Sequence, residues 1–171
     1  MPQVLVSPLS RVAETVRQSG ASHLVTLINR DTPVARPDGI AAENHLFLGM
    51  NDIVEPMEGL IPPAEEHIAT LLQFVSGWDR RRPMVVHCFA GISRSTAAAF
   101  VVLCAVNPAR SELEIASRIR AESRFAYPNP RIVNLGDRAL GRNGRMVTAA
   151  AAIGRGELAD ENVPFAIAIA E

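Results

Sequence analysis

Lysine is missing altogether: the 17 basic residues of this 171-residue chain are all arginine. Without a lysine amine there is no Schiff-base nucleophile, and the Gly-x-x-x-x-Gly-Lys-Ser/Thr loop that grips nucleotide phosphates cannot be built. Cysteine is nearly as scarce. Cys88 and Cys104 are the only two, too few for a disulfide framework and without zinc-ligand spacing to the four scattered histidines. A reducing cytoplasmic setting and no metal are therefore expected. Long apolar runs are absent too, the longest (residues 97–106) falling far short of the roughly 20 residues a spanning helix needs. Met1-Pro2-Gln3 opens without a basic segment followed by an apolar one, so no secretion leader is expected. Charge of either sign is in balance, with 17 basic against 18 acidic residues and a formal net charge of -1. That gives no long-range field to gather nucleic acid or an anionic membrane, and neither partner is expected.

What is present is enough apolar material, 48% of the residues, for one substantial core. A single domain over residues 1–171 is expected, with its body at about 3–140 and a helical or extended C-terminal tail at 141–171. Short apolar runs at 3–6, 23–28, 44–50 and 83–88 predict strands. Helical spacing over 10–16 ends at Gly20. Residues 64–78 follow Pro62-Pro63, which predicts a helix begun by proline at its first turn. The almost wholly apolar segment 95–106 predicts another helix, broken by Asn107-Pro108. Ser111-Glu112-Leu113-Glu114 reads as a capping box for a helix running to about Glu122, and a further helix follows Pro130. Residues 29–43 and 51–61 read as loops from their proline and glycine content. In the tail, 146–153 has helical character and 165–170 has extended character. Alternating strands and helices predict an α/β fold: a central mixed, mostly parallel sheet of about four to five strands flanked by helices. Ligands are then expected beyond the carboxyl ends of the strands.

The turn from Cys88 to Ser95 occupies such a place. A strand that ends in a tight loop before a helix points successive backbone N–H groups at one spot and so forms an anion site. A thiolate there is stabilised by the same N–H groups and by the helix dipole, which makes Cys88 the expected nucleophile. Arg94, six positions on, can return its planar guanidinium to the sulfur and hold two phosphoryl oxygens. Gly91 lets the backbone turn with no side chain in the way of the anion. Ser95 at the helix start can donate to the sulfur, and His87 is placed to orient the loop. An ordinary buried cysteine and a surface arginine are the alternative reading of this segment.

His87-Cys88-Phe89-Ala90-Gly91-Ile92-Ser93-Arg94-Ser95 resembles the His-Cys-x5-Arg-Ser loop of cysteine-dependent protein tyrosine and dual-specificity phosphatases. The resemblance is strong over residues 44–106, weaker to about 140 and absent beyond. It implies a phosphatase-like fold and hydrolysis of phosphotyrosine, of phosphoserine or phosphothreonine, or of small aryl phosphate esters, through a cysteinyl-phosphate. The implied partners are a phosphoprotein or a small phosphate ester. A phosphate or sulfate would sit in the loop of Phe89, Ala90, Gly91, Ile92, Ser93 and Arg94, with no cofactor. The phosphotyrosine-recognition loop of the large tyrosine-specific enzymes is missing, so the small atypical dual-specificity and bacterial enzymes are the nearer likeness. The loop also lacks the extra lysines of phosphoinositide phosphatases.

A phenol leaves poorly as an anion, so a carboxylic acid should supply a proton. Asp52 follows a strand, upstream of Cys88 by a separation similar to that in small dual-specificity phosphatases, and is the first candidate. Asp31, Glu55 and Glu58 are the substitutes, and a simple turn cap is the alternative role for Asp52. Tyr127-Pro128-Asn129 resembles the Pro-Asn segment that supports the catalytic loop in dual-specificity phosphatases. Asn129 is thereby a supporting residue, or else part of an ordinary turn. Arg118, Arg120 and Arg124 flank an acidic substrate or form a solvated helix face, the second being expected. Cys104 belongs to the core unless it faces Cys88. Sulfur transfer or arsenate reduction by the same cysteine, and phosphate binding without catalysis, are the competing activities.

Overall fold

The computed structural model describes residues 2–169. Five strands form one sheet in the order β3-β2-β4-β1-β5. These are β1 (Gln3–Pro8), β2 (His23–Ile28), β3 (His45–Gly49), β4 (Met84–Cys88) and β5 (Phe165–Ala168). The first four run parallel, and only β5 is antiparallel, joining the edge of β1 with Val6 opposite Phe165. All five residues of β4 are buried, as a parallel strand covered on both faces must be. Alternate residues of β4 serve opposite faces: Met84 and Val86 join the larger core and Val85 the smaller one.

The six helices divide unequally between those faces. The smaller core is covered by α1 (Val12–Ser19) with Ile40 of the following loop. The larger core receives residues from α2 (Glu65–Ser76), α3 (Arg94–Val106), α4 (Glu112–Glu122), α5 (Pro130–Ala139) and α6 (Arg145–Ala152). Every residue of α3 except Ala105 is buried, which makes it the central helix of that layer. Each fully buried Val, Leu or Phe on it contributes about 1.5–3 kcal/mol. The C-terminal residues are joined to this body, since α6 packs on α4 and α5 while β5 completes the sheet.

Two expectations about local structure are corrected. Pro62 and Pro63 precede α2 without entering its first turn: Ala64 is the N-cap, and the Ala64 N–H donates to His67 Nδ1 at 3.0 Å. A three-residue 3-10 turn, Leu9–Arg11, takes up the start of the helix expected from residue 10. Ser111 caps α4, its Oγ accepting from the Glu114 N–H at 3.1 Å. The extended character expected at 165–170 ends as a strand at Ala168, and Ala170 lies outside the described residues. No helix among the described residues is long and apolar enough to cross a membrane.

Candidate active site

Cys88 ends the central strand and Arg94 begins the central helix, so the turn between them lies at the carboxyl edge of the sheet. The Cys88 sulfur accepts a hydrogen bond from the Gly91 N–H at 3.2 Å and lies 3.1 Å from Ser95 Oγ. Gly91 adopts a left-handed φ of 71°. A Cβ there would stand 2.8 Å from Pro8 N and 2.9 Å from Ser7 C. The reason for glycine is therefore different from the one the sequence suggested: a side chain would strike the end of β1.

Arg94 is buried, and its Nη1 donates to Asn29 Oδ1 and to the Met50 carbonyl, both at 2.8 Å. These acceptors follow β2 and β3, so the guanidinium is clamped by the loops leaving two neighbouring strands. Its Nε is buried with no hydrogen-bond partner, a costly state for a charged donor unless an acceptor comes to it. An oxyanion oxygen is such an acceptor.

Asp52 lies across the opening. Its Oδ1 accepts from Ser93 Oγ and from Asn129 Nδ2, both at 2.8 Å, and its Oδ2 takes part in neither bond. Asn129 has several roles at once. Its Oδ1 caps α5 by accepting from the N–H groups of Arg131 and Ile132, while its own N–H donates to the Ser93 carbonyl at 3.1 Å. Behind the loop, His87 is wholly buried. Its Nε2 lies 2.7 Å from Thr26 Oγ1, and that hydroxyl lies 2.8 Å from His45 Nε2. With His87 Nδ1–H donating to the Cys88 carbonyl at 3.2 Å, Thr26 donates to His87 and accepts from His45. Burial holds His87 neutral, lowering its pKa to about 4 against the raising effect of the Cys88 carbonyl.

The cavity over the loop has a volume of about 560 Å³. Its walls come from Asp52 to Val54, from Phe125, Tyr127 and Asn129, and from a segment of the tail, Arg155 to Asp160. That last wall was not expected from the sequence. The tail segment is held by Arg120, whose guanidinium donates to the carbonyls of Ser123, Ala126, Ile153 and Gly154. Arg120 is thus a structural clasp, and the expectation of a solvated helix face is corrected for it. Gly156, at φ 80°, passes so near Arg124 O that a Cβ would stand 2.8 Å away, and the Glu157 N–H donates to that carbonyl at 2.9 Å. Arg124 also pairs with Glu157 at 3.5 Å and lies over the Phe125 ring. Glu55, Glu58 and Asp31 do not line the cavity. Cys104 lies within α3 among core residues, away from the loop. Asn29 and Asn162 contact Arg94 and the loop respectively. Both stand in polar stretches with no periodic pattern, which carry no signal.

The protein-tyrosine phosphatase family model matches residues 57–124. A comparison with curated proteins found no match. Among solved structures, human DUSP28 superposes with a TM-score of 0.62 at 17% identity, covering 82% of this chain and 92% of that one. DUSP15 gives 0.62 at 16% identity, over 94% and 96%. The human tyrosine phosphatase-like serine/threonine/tyrosine-interacting protein gives 0.64 at 15% identity, over 82% and 92%. Over residues 57–124 the chain is similar to protein-tyrosine phosphatases, and it shares the fold of these solved neighbours. The matched region runs from the loop before α2 to the end of α4 and includes Cys88 and Arg94. The tail segment walling the cavity lies beyond it.

Proposed function

We propose that this protein hydrolyses phosphotyrosine or small aryl phosphate esters through a cysteinyl-phosphate on Cys88. The observation that carries the proposal is the pairing of a sulfur that receives directed N–H and hydroxyl contacts with a buried arginine Nε that lacks an acceptor. A phosphoryl group bound between them would receive one Arg94 N–H and the loop amides while presenting phosphorus to the thiolate.

In the first step the Cys88 thiolate attacks phosphorus in line, the S–P bond forms and the P–O bond to the leaving group breaks. Asp52 gives its proton to the departing oxygen. The two donors on Oδ1 leave Oδ2 as the oxygen to carry that proton. In the second step water attacks phosphorus, Asp52 takes up its proton, and the S–P bond breaks as the Ser95 hydroxyl donates to the departing sulfur. Apolar side chains at the opening, Val54, Phe89 and Tyr127, are exposed and suit an aryl ring. Discrimination between phosphotyrosine and phosphoserine or phosphothreonine follows from how well such a ring fills this opening.

The test is hydrolysis of an aryl phosphate beside phosphotyrosine and phosphoserine peptides, with thiosulfate and arsenate as controls. Aryl phosphate turnover that disappears in Cys88→Ser supports the proposal. Turnover of thiosulfate or arsenate alone would replace it with sulfur or arsenic chemistry, and phosphotyrosine binding without phosphate release would make the protein a binding module.

A further inference from the structure

We infer that Asn162, in the C-terminal tail, is a positioning residue of the phosphate loop, turning two of its peptide N–H groups toward the anion; this rests on the phosphatase reading above. A trans peptide points its C=O and its N–H in opposite directions. Pinning a carbonyl outward therefore aims the next residue's N–H inward. Each carbonyl from Cys88 to Ser93 has a donor. The Cys88 carbonyl accepts from His87 Nδ1 and that of Phe89 from the Leu9 N–H at 3.0 Å. The Ile92 carbonyl accepts from the Tyr127 N–H at 3.0 Å and that of Ser93 from the Asn129 N–H at 3.1 Å. The remaining two belong to Asn162, whose N–H donates to Ala90 O at 2.8 Å and whose Nδ2 donates to Gly91 O at 2.9 Å.

The two peptide units thus oriented carry the N–H groups of Gly91 and Ile92. The first of these already donates to the Cys88 sulfur at 3.2 Å. Asn162 is 3% exposed, and its Oδ1 accepts from Ser123 Oγ at 2.9 Å. Since Gly91 O can only accept, the orientation of the amide is set by chemistry. Neighbouring tail residues are fastened independently, by Arg120 and Arg124 upstream and by β5 downstream. Removing the Asn162 side chain therefore leaves the tail in place and releases the Gly91 carbonyl.

The experiment measures the affinity of the full chain for inorganic phosphate and the pH dependence of Cys88 alkylation by iodoacetamide. Wild type, Asn162→Ala and Asn162→Asp are compared. Losing one orienting bond should weaken phosphate binding roughly tenfold in Asn162→Ala and move the alkylation midpoint to higher pH. Asn162→Asp, equal in size but with a carboxylate facing Gly91 O, should be the weaker binder of the two. A packing role predicts the opposite order, and that order would overturn the inference. So would wild-type phosphate affinity and an unmoved alkylation profile in both variants. Should both fail to fold, Ser123→Ala removes only the partner of Oδ1. A smaller change in the same direction supports the inference, and no change overturns it. A wild type that neither binds phosphate nor alkylates at neutral pH overturns the phosphatase reading along with it, whereas unchanged variants of a phosphate-binding wild type overturn the role of Asn162 alone.

Discussion

Two buried thiols, one at the end of β4 and one within α3, have opposite surroundings. Cys88 is 2% exposed and Cys104 is 0% exposed, so burial does not distinguish them. Cys104 lies deep in α3, where burial pushes its thiol up to about 12, with Arg142 working against that rise and Glu112 and Asp137 adding to it. Cys88 is placed where a strand turns toward that same helix, with the Gly91 N–H donating to its sulfur and the Ser95 hydroxyl 3.1 Å from it. The difference teaches that burial alone does not set a thiol's surroundings: the end of an element can aim donors at a sulfur, whereas the interior of a helix surrounds it with packing.

The largest test of that contrast replaces each cysteine in turn. Cys88→Ser should reduce aryl phosphate turnover by on the order of 10⁴-fold or more, measured by phosphate release. Cys104→Ala should keep kcat within about twofold, because the side chain removed is remote from the reacting atoms. Comparable losses in both would break the comparison.

The surroundings of Cys88 also carry an acid sensitivity of their own, through a buried imidazole. His87 binds its proton less readily when folded, with a pKa lowered from 6.5 to about 4. Between these values the unfolded chain holds more protons than the folded one, so stability falls as pH drops from about 6.5 to about 4. The loss reaches up to about 3 kcal/mol. Urea unfolding across this range should show the slope, and His87→Asn should flatten it. An unchanged slope in that variant would remove His87 from the account.

Asp52→Asn should lower kcat/KM for phosphotyrosine about 10²-fold while sparing an aryl phosphate with a much better leaving group. Equal losses on both substrates would make Asp52 a structural cap for Ser93 and Asn129. The smallest effect concerns the hydroxyl between two histidines: Thr26→Val should cost about 1–3 kcal/mol in chemical denaturation, because it leaves His87 Nε2 without a donor. A neutral result would show that neither imidazole depends on that bond.

The four parallel strands were legible because each is a short apolar run ending at a polar or turn residue, as β2 does at Asn29. That Cys88, Arg94 and Ser95 meet at one turn was legible because a strand–turn–helix loop is local in sequence. The position of Asp52 beside that turn was reachable because it directly follows a strand, and that of Asn129 because it precedes a helix-starting proline. Residues that act across the fold were not legible. Asn29 and Asn162 reach the loop from distant segments, and an asparagine in a polar stretch gives no periodic signal. Arg120 has the composition of a solvated face, yet it closes over four carbonyls that only the tertiary fold brings together.

The most direct test is to mix the protein with an aryl phosphate carrying a labelled phosphoryl group, quench in acid within one turnover, and locate the label by mass spectrometry. The account predicts label on Cys88 and none on Cys104, with the amount increasing when Asp52 is replaced by asparagine and a good leaving group is used. Turnover without a phosphorylated cysteine, or label on another residue, would contradict it.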